Sequence, residues 1–166
     1  MVEALLRDGW ARFAPEACVQ EWAQRARTVA AERVVDTDER ARWLQCEETW
    51  FVGVDTLPND PDGAVGTTGP LRGAAMEAAQ RLYGALQLHR GQVSVTYPGY
   101  PRPRAGESDA AFRYRVKRDA AHVDGLLAVG PDRRRMLKER HAYILGLPLT
   151  SCDAGASPFV VWEGSH

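Results

Sequence analysis

The chain has 166 residues, of which 45% are hydrophobic and 26% are charged, and its formal net charge is −1 at pH 7. A chain of this length and composition can enclose one hydrophobic core, which predicts a single domain over residues 1–166. The near-neutral charge argues against a general nucleic-acid-binding protein and against a polybasic protein of membrane surfaces.

The N-terminus and the cysteines bear on where the protein works. The opening "MVEALLRDGWARF" is charged at Glu3, Arg7 and Asp8, so it lacks the apolar core of a signal peptide. No stretch approaches the roughly 20 apolar residues of a membrane helix. Three widely spaced cysteines without a CxxC pair favour reduced thiols. We therefore expect a soluble, cytoplasmic protein with no membrane partner.

Two helices are predicted in the N-terminal half. The first covers residues 15–35, where Pro15 and Glu16 suit the first turn and apolar residues recur at three- and four-residue spacing. Before it, we expect a turn at residues 8–9 and then a short extended piece. The second helix is predicted over residues 70–88, where leucines and alanines fall on one face.

Short strands are predicted to dominate the C-terminal half. The segments concerned are "QVSVTYP", "FRYRVK", "AYILGLPLT" and "PFVVW". In the first two, apolar and polar residues alternate with the period of a half-buried strand. A further strand-like segment, "WFVGV", precedes a loop rich in Pro, Gly and Asp. Helices followed by four or more short strands predict an α+β fold whose strands form a sandwich or barrel.

The segment "AAHVDG" carries the clearest chemical motif. On a strand, His122 and Asp124 would point to the same face, because they are two residues apart. An imidazole, a carboxylate and a second histidine form the facial triad that binds non-haem Fe(II) and leaves three coordination positions open. His166 is the predicted third ligand, since it follows an apolar segment and a Gly-Ser turn. His89, after a helix, and His141, in a charged stretch, are less suitable.

A second interpretation of the motif stays open. His122 can be a surface histidine, and Asp124 can be a turn-forming residue before Gly125. The functional interpretation is favoured because His122, Asp124 and His166 together supply the ligand set that Fe(II) facial triads use.

The chain resembles the phytanoyl-CoA dioxygenase-like family of Fe(II)- and 2-oxoglutarate-dependent oxygenases. The resemblance lies in "HVDG", in "YILGLPLTSCDAGASPFVVWEGSH" and in the opening "LLRDGWARFAPEACVQEWAQRA". It covers the chain in patches and leaves residues 40–90 unassigned. It implies a double-stranded β-helix, a jelly-roll or cupin-like barrel, flanked by N-terminal helices. It also implies Fe(II), 2-oxoglutarate as cosubstrate, and hydroxylation of a small-molecule substrate.

The resemblance suggests further residues and also shows two departures. Tyr97, Tyr114 and Tyr143 are candidates for hydrogen bonding to a carboxylate of the cosubstrate inside the barrel. Glu163 stands where the family usually has proline. No residue follows His166, although family members carry there an arginine that pairs with the far carboxylate of 2-oxoglutarate. We therefore expect a C-terminally truncated member that lacks its last strand or strands.

Alternatives remain for both the activity and the substrate. The chain can be a catalytically inactive or cosubstrate-independent metal-binding domain of the cupin type. The basic residues within 98–118 can form a mouth that attracts an anionic substrate, such as a phosphate or carboxylate, or a solvated strand face.

Overall fold

The computed structural model of the chain describes residues 2–118, 122, 124–153, 155–156 and 159–164. This part of the chain combines helices with short antiparallel strands. Its helices are α1 (Val2–Asp8), α2 (Ala17–Val35), α3 (Thr37–Trp43), α4 (Ala74–Tyr83) and α5 (Asp109–Lys117). Its strands are β1 (Leu44–Gln45), β2 (Trp50–Leu57), β3 (Gly91–Thr96), β4 (Leu126–Val129) and β5 (Arg134–Leu137).

The larger sheet is antiparallel and has the order β1-β2-β3. Strands β2 and β3 pair Phe51 with Val95 and Gly53 with Val93, so these apolar residues lie in one part of the sheet. The register shifts between Gly53 and Leu57, which marks a bulge. Gly53 suits this crowded place, because a Cβ atom there would lie 2.6 Å from Oγ1 of Thr56.

Helix α2 packs against β2 and supplies one side of the core. Its buried residues recur every four positions and therefore form one stripe: Trp22, Ala26, Ala30 and Val34. The indole Nε1–H of Trp22 donates a hydrogen bond of 2.8 Å to the carbonyl oxygen of Gly63, which fastens the helix to the loop after β2. Among the residues that the structure describes, no helix is both long and apolar enough to cross a membrane.

The predicted N-terminal helices are confirmed with changed boundaries. The helix predicted over 15–35 is α2, while the one predicted over 70–88 is reduced to α4. Helix α4 is shorter because the flanking Gly73 and Gly84 have φ values of +129° and +77°, which a helix does not accommodate. Residues 2–8, before the expected extended piece, form α1, and residues 10–16 lie in no helix or strand.

The strand predicted for "FRYRVK" is wrong, because these residues belong to α5. Ser108 caps the helix, since its Oγ accepts a hydrogen bond of 3.3 Å from the backbone N–H of Ala111. Phe112 and Arg115, three residues apart, are the less exposed positions, whereas Tyr114 is 68% exposed. The side chains therefore follow helical spacing, and the short alternation in the sequence was a coincidence of residue type.

Residues 142–150, all described, also lie in no strand, although "AYILGLPLT" was predicted to form one. The alternation is nevertheless present in the packing. Leu145, Leu147 and Leu149 contact the core, whereas Gly146 and Pro148 between them are exposed, and Ile144 before them is 61% exposed. The segment thus covers the core with one face in the manner of a strand while lacking a strand partner among the described residues.

The remaining strand predictions have mixed outcomes. "QVSVTYP" is confirmed as β3 and "WFVGV" as the start of β2. Residues 159–162 of "PFVVW" lie in no strand, and Pro158 is outside the described residues. The segment "DRRR" contains a turn that leads into β5.

The strands of the described residues form two small antiparallel sheets, neither of which closes into a barrel. The second sheet is the β4–β5 hairpin, whose register pairs Leu126 with Leu137. Mixed helix and sheet agrees with the expected α+β class at that coarse level. The double-stranded β-helix stays a prediction.

The central position of Phe51 provides a test of the core. Its side chain is completely buried, so we expect Phe51→Ala to lower the free energy of unfolding by about 3–5 kcal/mol through lost contacts and a cavity. Denaturant unfolding followed by circular dichroism measures this change. Val35→Ala is the control, since Val35 is 70% exposed and its change should stay within about 0.5 kcal/mol. Equal effects of the two substitutions would contradict the described core.

Candidate functional site

Two of the predicted metal ligands lie side by side. Nε2 of His122 is 3.3 Å from Oδ1 of Asp124, and the side chains are 74% and 48% exposed. Two atoms at adjacent positions of an octahedral metal ion, each about 2.1 Å from it, lie about 3 Å apart. The observed spacing is therefore close to that of a shared ion. The third predicted ligand, His166, lies outside the described residues.

The backbone here has the form of the second interpretation of the motif, an exposed histidine and a turn-forming aspartate before Gly125, and it still brings the two side chains together. Neither His122 nor Asp124 lies in a strand, and Asp124 is part of a turn. Gly125 follows it with φ +82°, and a Cβ atom there would collide with the carbonyl oxygen of Glu139. The carbonyl oxygen of Gly125 accepts hydrogen bonds from the N–H groups of Lys138 (2.9 Å) and Glu139 (3.3 Å). The open end of the β4–β5 hairpin therefore fixes the residue next to Asp124.

A bidentate ion pair lies in the segment that precedes the candidate ligands. Arg115 donates from Nε to Oε1 of Glu107 and from Nη2 to Oε2, each at 2.8 Å. The same Nη2 donates at 2.8 Å to the carbonyl oxygen of Arg102. The side chains are only 12% and 11% exposed, so water competes weakly for these hydrogen bonds.

This arrangement changes the acidity of both partners. Hydrogen bonds from Arg115 and, secondarily, from the backbone N–H of Arg104 lower the pKa of Glu107 to about 2. The hydrogen bond to Glu107 in turn raises the pKa of Arg115. The carboxylate is thus ionised at all but the lowest pH values, and the guanidinium is not available as a free cation for an anionic ligand.

The three candidate tyrosines have three different environments. Tyr97 is half-buried against the core, and its backbone N–H donates at 2.9 Å to the carbonyl oxygen of Thr49. Tyr114 is exposed on α5, with the guanidinium carbon of Arg118 5.9 Å from its ring centre. Tyr143 stacks on Tyr83, and burial raises the pKa of its hydroxyl. Their predicted role with a cosubstrate stays a prediction.

A second group of titratable side chains joins residues that are distant in the sequence. The rings of His89 and His141 are 5.5 Å apart in an edge-on arrangement, and Nε2 of His141 is 3.6 Å from Oε2 of Glu139. No pattern in the sequence predicts a contact between the two histidines. Within the described ranges, no three His, Cys, Asp or Glu residues are grouped so that they could hold a metal ion.

The basic residues of 98–118 are divided between a loop and a helix. Arg104 lies with its guanidinium carbon 5.8 Å from the ring centre of Trp50, and Arg115 is bound to Glu107. Arg113, Lys117 and Arg118 are exposed on and just after α5. These exposed cations lie within ten residues before His122 in the sequence. Attraction of an anionic substrate by them stays a prediction.

No protein-family model, no curated protein and no solved structure matches the chain. The interpretation of the site therefore rests on the residues and contacts described above.

The lowered pKa of Glu107 predicts a specific pH dependence. A carboxylate with a pKa of about 2 in the folded protein and about 4.5 otherwise stabilises the fold above pH 4.5, and this contribution is lost as the pH falls toward 2. We expect Glu107→Gln to lower the unfolding midpoint at pH 7 and to have a shrinking effect below pH 4.5.

Thermal unfolding of both proteins across this pH range provides the measurement. Glu32→Gln, at an exposed position on α2, is the matched control and should change little at any pH. An effect of Glu107→Gln that is as large at pH 2.5 as at pH 7 would count against the ion pair.

Proposed function

We propose that the chain is a non-haem Fe(II)- and 2-oxoglutarate-dependent dioxygenase that hydroxylates a small-molecule substrate, on a double-stranded β-helix. The observation that carries this proposal is the 3.3 Å contact between Nε2 of His122 and Oδ1 of Asp124. Both side chains are accessible to a metal ion from solvent. The resemblance to the phytanoyl-CoA dioxygenase-like family supports the choice of metal and cosubstrate.

The donor atoms fit the proposed metal. One imidazole nitrogen and one carboxylate oxygen are two members of the facial triad that binds non-haem Fe(II), and His166 is the proposed third. When bound, Fe(II) would supply the redox chemistry that couples decarboxylation of 2-oxoglutarate to succinate with substrate hydroxylation. The chain's own residues would balance part of the charge of the metal ion and hold the ion in position.

Each residue of the turn has a distinct part in such a site. Asp124 contributes a negatively charged carboxylate, which attracts a divalent cation to the site. His122 ligates through a ring nitrogen that carries no proton, so metal binding releases a proton whenever the imidazole starts protonated. Gly125, held by the hydrogen bonds from Lys138 and Glu139, limits the freedom of the neighbouring carboxylate. Because the two donor atoms already lie close together, metal binding would cost less conformational entropy of these side chains.

The surroundings of the turn suggest the kind of substrate. Arg113, Lys117 and Arg118 are exposed and lie within ten residues before His122. A cluster of cations next to a site raises the local concentration of anions. We therefore include an anionic small molecule in the proposal and no nucleic acid.

The exposure of the two ligands favours a second candidate function. Oxygenase sites exclude water around reactive groups, whereas His122 and Asp124 are 74% and 48% exposed. A metal-binding cupin-like domain without oxygenase turnover would keep the same two ligands and would tolerate this exposure. Metal binding is common to both candidates, and turnover separates them.

Metal binding is tested by anaerobic titration with Fe(II), and with Co(II) as an air-stable probe. We expect one site whose affinity falls at least about 100-fold in His122→Ala and in Asp124→Ala, because loss of a direct ligand exceeds the 10–100-fold cost of losing a supporting hydrogen bond. His89→Ala and His141→Ala are the controls, since these histidines contact each other instead. Binding that survives His122→Ala but not His141→Ala would sink the proposed site.

Turnover is tested by following conversion of 2-oxoglutarate to succinate in the presence of Fe(II) and dioxygen. The oxygenase proposal predicts succinate formation that disappears in His122→Ala and persists in His141→Ala. Metal binding without succinate would instead support the second candidate.

A further inference from the structure

Helix α5 has few apolar contacts to hold it in place. None of its residues is buried, and Tyr114 and Val116 are 68% and 49% exposed. Phe112 is half-buried, with the guanidinium carbon of Arg115 5.3 Å from its ring centre. A nine-residue helix without a buried face is not stable by itself, so polar contacts must determine its position.

The ion pair between Glu107 and Arg115 supplies these contacts. It joins α5 to the preceding loop at three places: the Glu107 carboxylate, the carbonyl oxygen of Arg102 and, through Glu107, the backbone N–H of Arg104. Because two nitrogens of one guanidinium bind the two carboxylate oxygens, the contact restricts the relative orientation of the Arg115 and Glu107 side chains as well as their distance.

This ion pair differs from other arginine–carboxylate pairs that the structure describes. The side chains of Arg7–Asp8, Arg25–Glu21 and Arg134–Asp132 are exposed by 72%/26%, 49%/67% and 80%/75%. Pairs exposed in this way contribute little to stability. The Glu107–Arg115 pair, at 11% and 12%, is shielded and bidentate, so its loss should have structural consequences.

The position of α5 limits the position of the candidate ligands. His122 follows Arg115 by seven residues, which can span at most about 25 Å. From Arg115 to the hairpin-bound Gly125 the chain has about 10 residues, whereas from Tyr97, whose backbone N–H donates to the carbonyl oxygen of Thr49 just before β2, it has about 28. The probability that a flexible loop brings its ends together falls with its length to the power 3/2. Loss of the Glu107–Arg115 contact would lengthen the loop from about 10 to about 28 residues, so the ligand geometry would be roughly 5-fold less frequent.

We infer that the Glu107–Arg115 ion pair is a positioning device for the metal-binding turn at His122 and Asp124. This inference rests on the proposed function for the nature of the ligand. Arg115 would restrict the position of the turn through the connecting chain and not through a direct contact. Arg115 and Glu107 are thus positioning residues, and neither is proposed to contact metal or substrate.

The test combines metal affinity with hydrogen–deuterium exchange of the apo-protein. In Arg115→Met, the Co(II) dissociation constant should rise roughly 5-fold, and exchange should accelerate in peptides covering residues 98–118 and 122–129. Arg115→Lys keeps the charge without the fork and should lie between wild type and Arg115→Met. Glu107→Gln replaces Arg115→Met if the latter does not fold.

Two controls separate positioning from general destabilisation. Arg27→Met removes an exposed cation from α2, outside the proposed anion-attracting residues, and should alter neither readout. Val65→Ala weakens the core and should lower the unfolding midpoint while leaving Co(II) affinity unchanged, because Val65 belongs to the core cluster.

The outcomes distinguish this inference from the proposed function. If wild type binds no Co(II), the proposed metal site fails, and exchange at 122–129 alone decides whether Arg115 restricts the turn. If exchange at 122–129 is the same in Arg115→Met and wild type, the positioning role is overturned whatever the metal data show. If Val65→Ala weakens Co(II) binding as much as Arg115→Met, the effect is general destabilisation, and the inference is likewise overturned.

Discussion

The bidentate ion pair between Glu107 and Arg115 connects two parts of the chain that are held by different forces. Residues 17–97 are organised by apolar burial, with α2 packed on a sheet centred on Phe51. The described residues of 98–118, 122 and 124–140 contribute none to that core cluster and depend on caps, turns and ion pairs. Because α5 buries none of its residues, the ion pair is what makes its position definite. The candidate ligands His122 and Asp124 follow α5 within seven residues of its end, so the Glu107–Arg115 ion pair also limits where they can lie.

The fold of the first part was largely predictable, and the reason is the length of its apolar patterns. The 19 residues of α2 repeat their buried stripe over several turns, which leaves little choice of structure. The six residues of "FRYRVK" are too few to separate a strand from a helix, and the Ser108 cap decided in favour of the helix. In 142–150 the sequence predicted an apolar strand, whereas the structure packs three leucines on the core without a strand partner among the described residues. Pairing depends on distant parts of the chain, which local pattern does not contain.

The candidate site was predictable where its members are neighbours in the sequence. The pair His122 and Asp124 was recognised from its spacing, although a turn and not a strand brings the side chains together. The contact between His89 and His141 had no local sign, since it arises from the packing of distant segments. The Glu107–Arg115 pair was equally hidden, because the alternating pattern placed Arg115 on a strand face with its neighbours. A pair of candidate ligands recognised from the sequence is thus preceded in the chain by an ion pair that only the structure shows.

X-ray absorption of the Co(II)-loaded chain tests the central claim, that His122 and Asp124 bind a metal ion, most directly. Coordinated imidazole produces a characteristic scattering pattern beyond the nearest ligand shell, so the number of bound histidines can be compared between variants. The account predicts that His122→Gln removes one coordinated imidazole and that His141→Gln removes none. An unchanged pattern in His122→Gln, together with loss of an imidazole in His141→Gln, would contradict it and would place the metal at the His89–His141 contact instead.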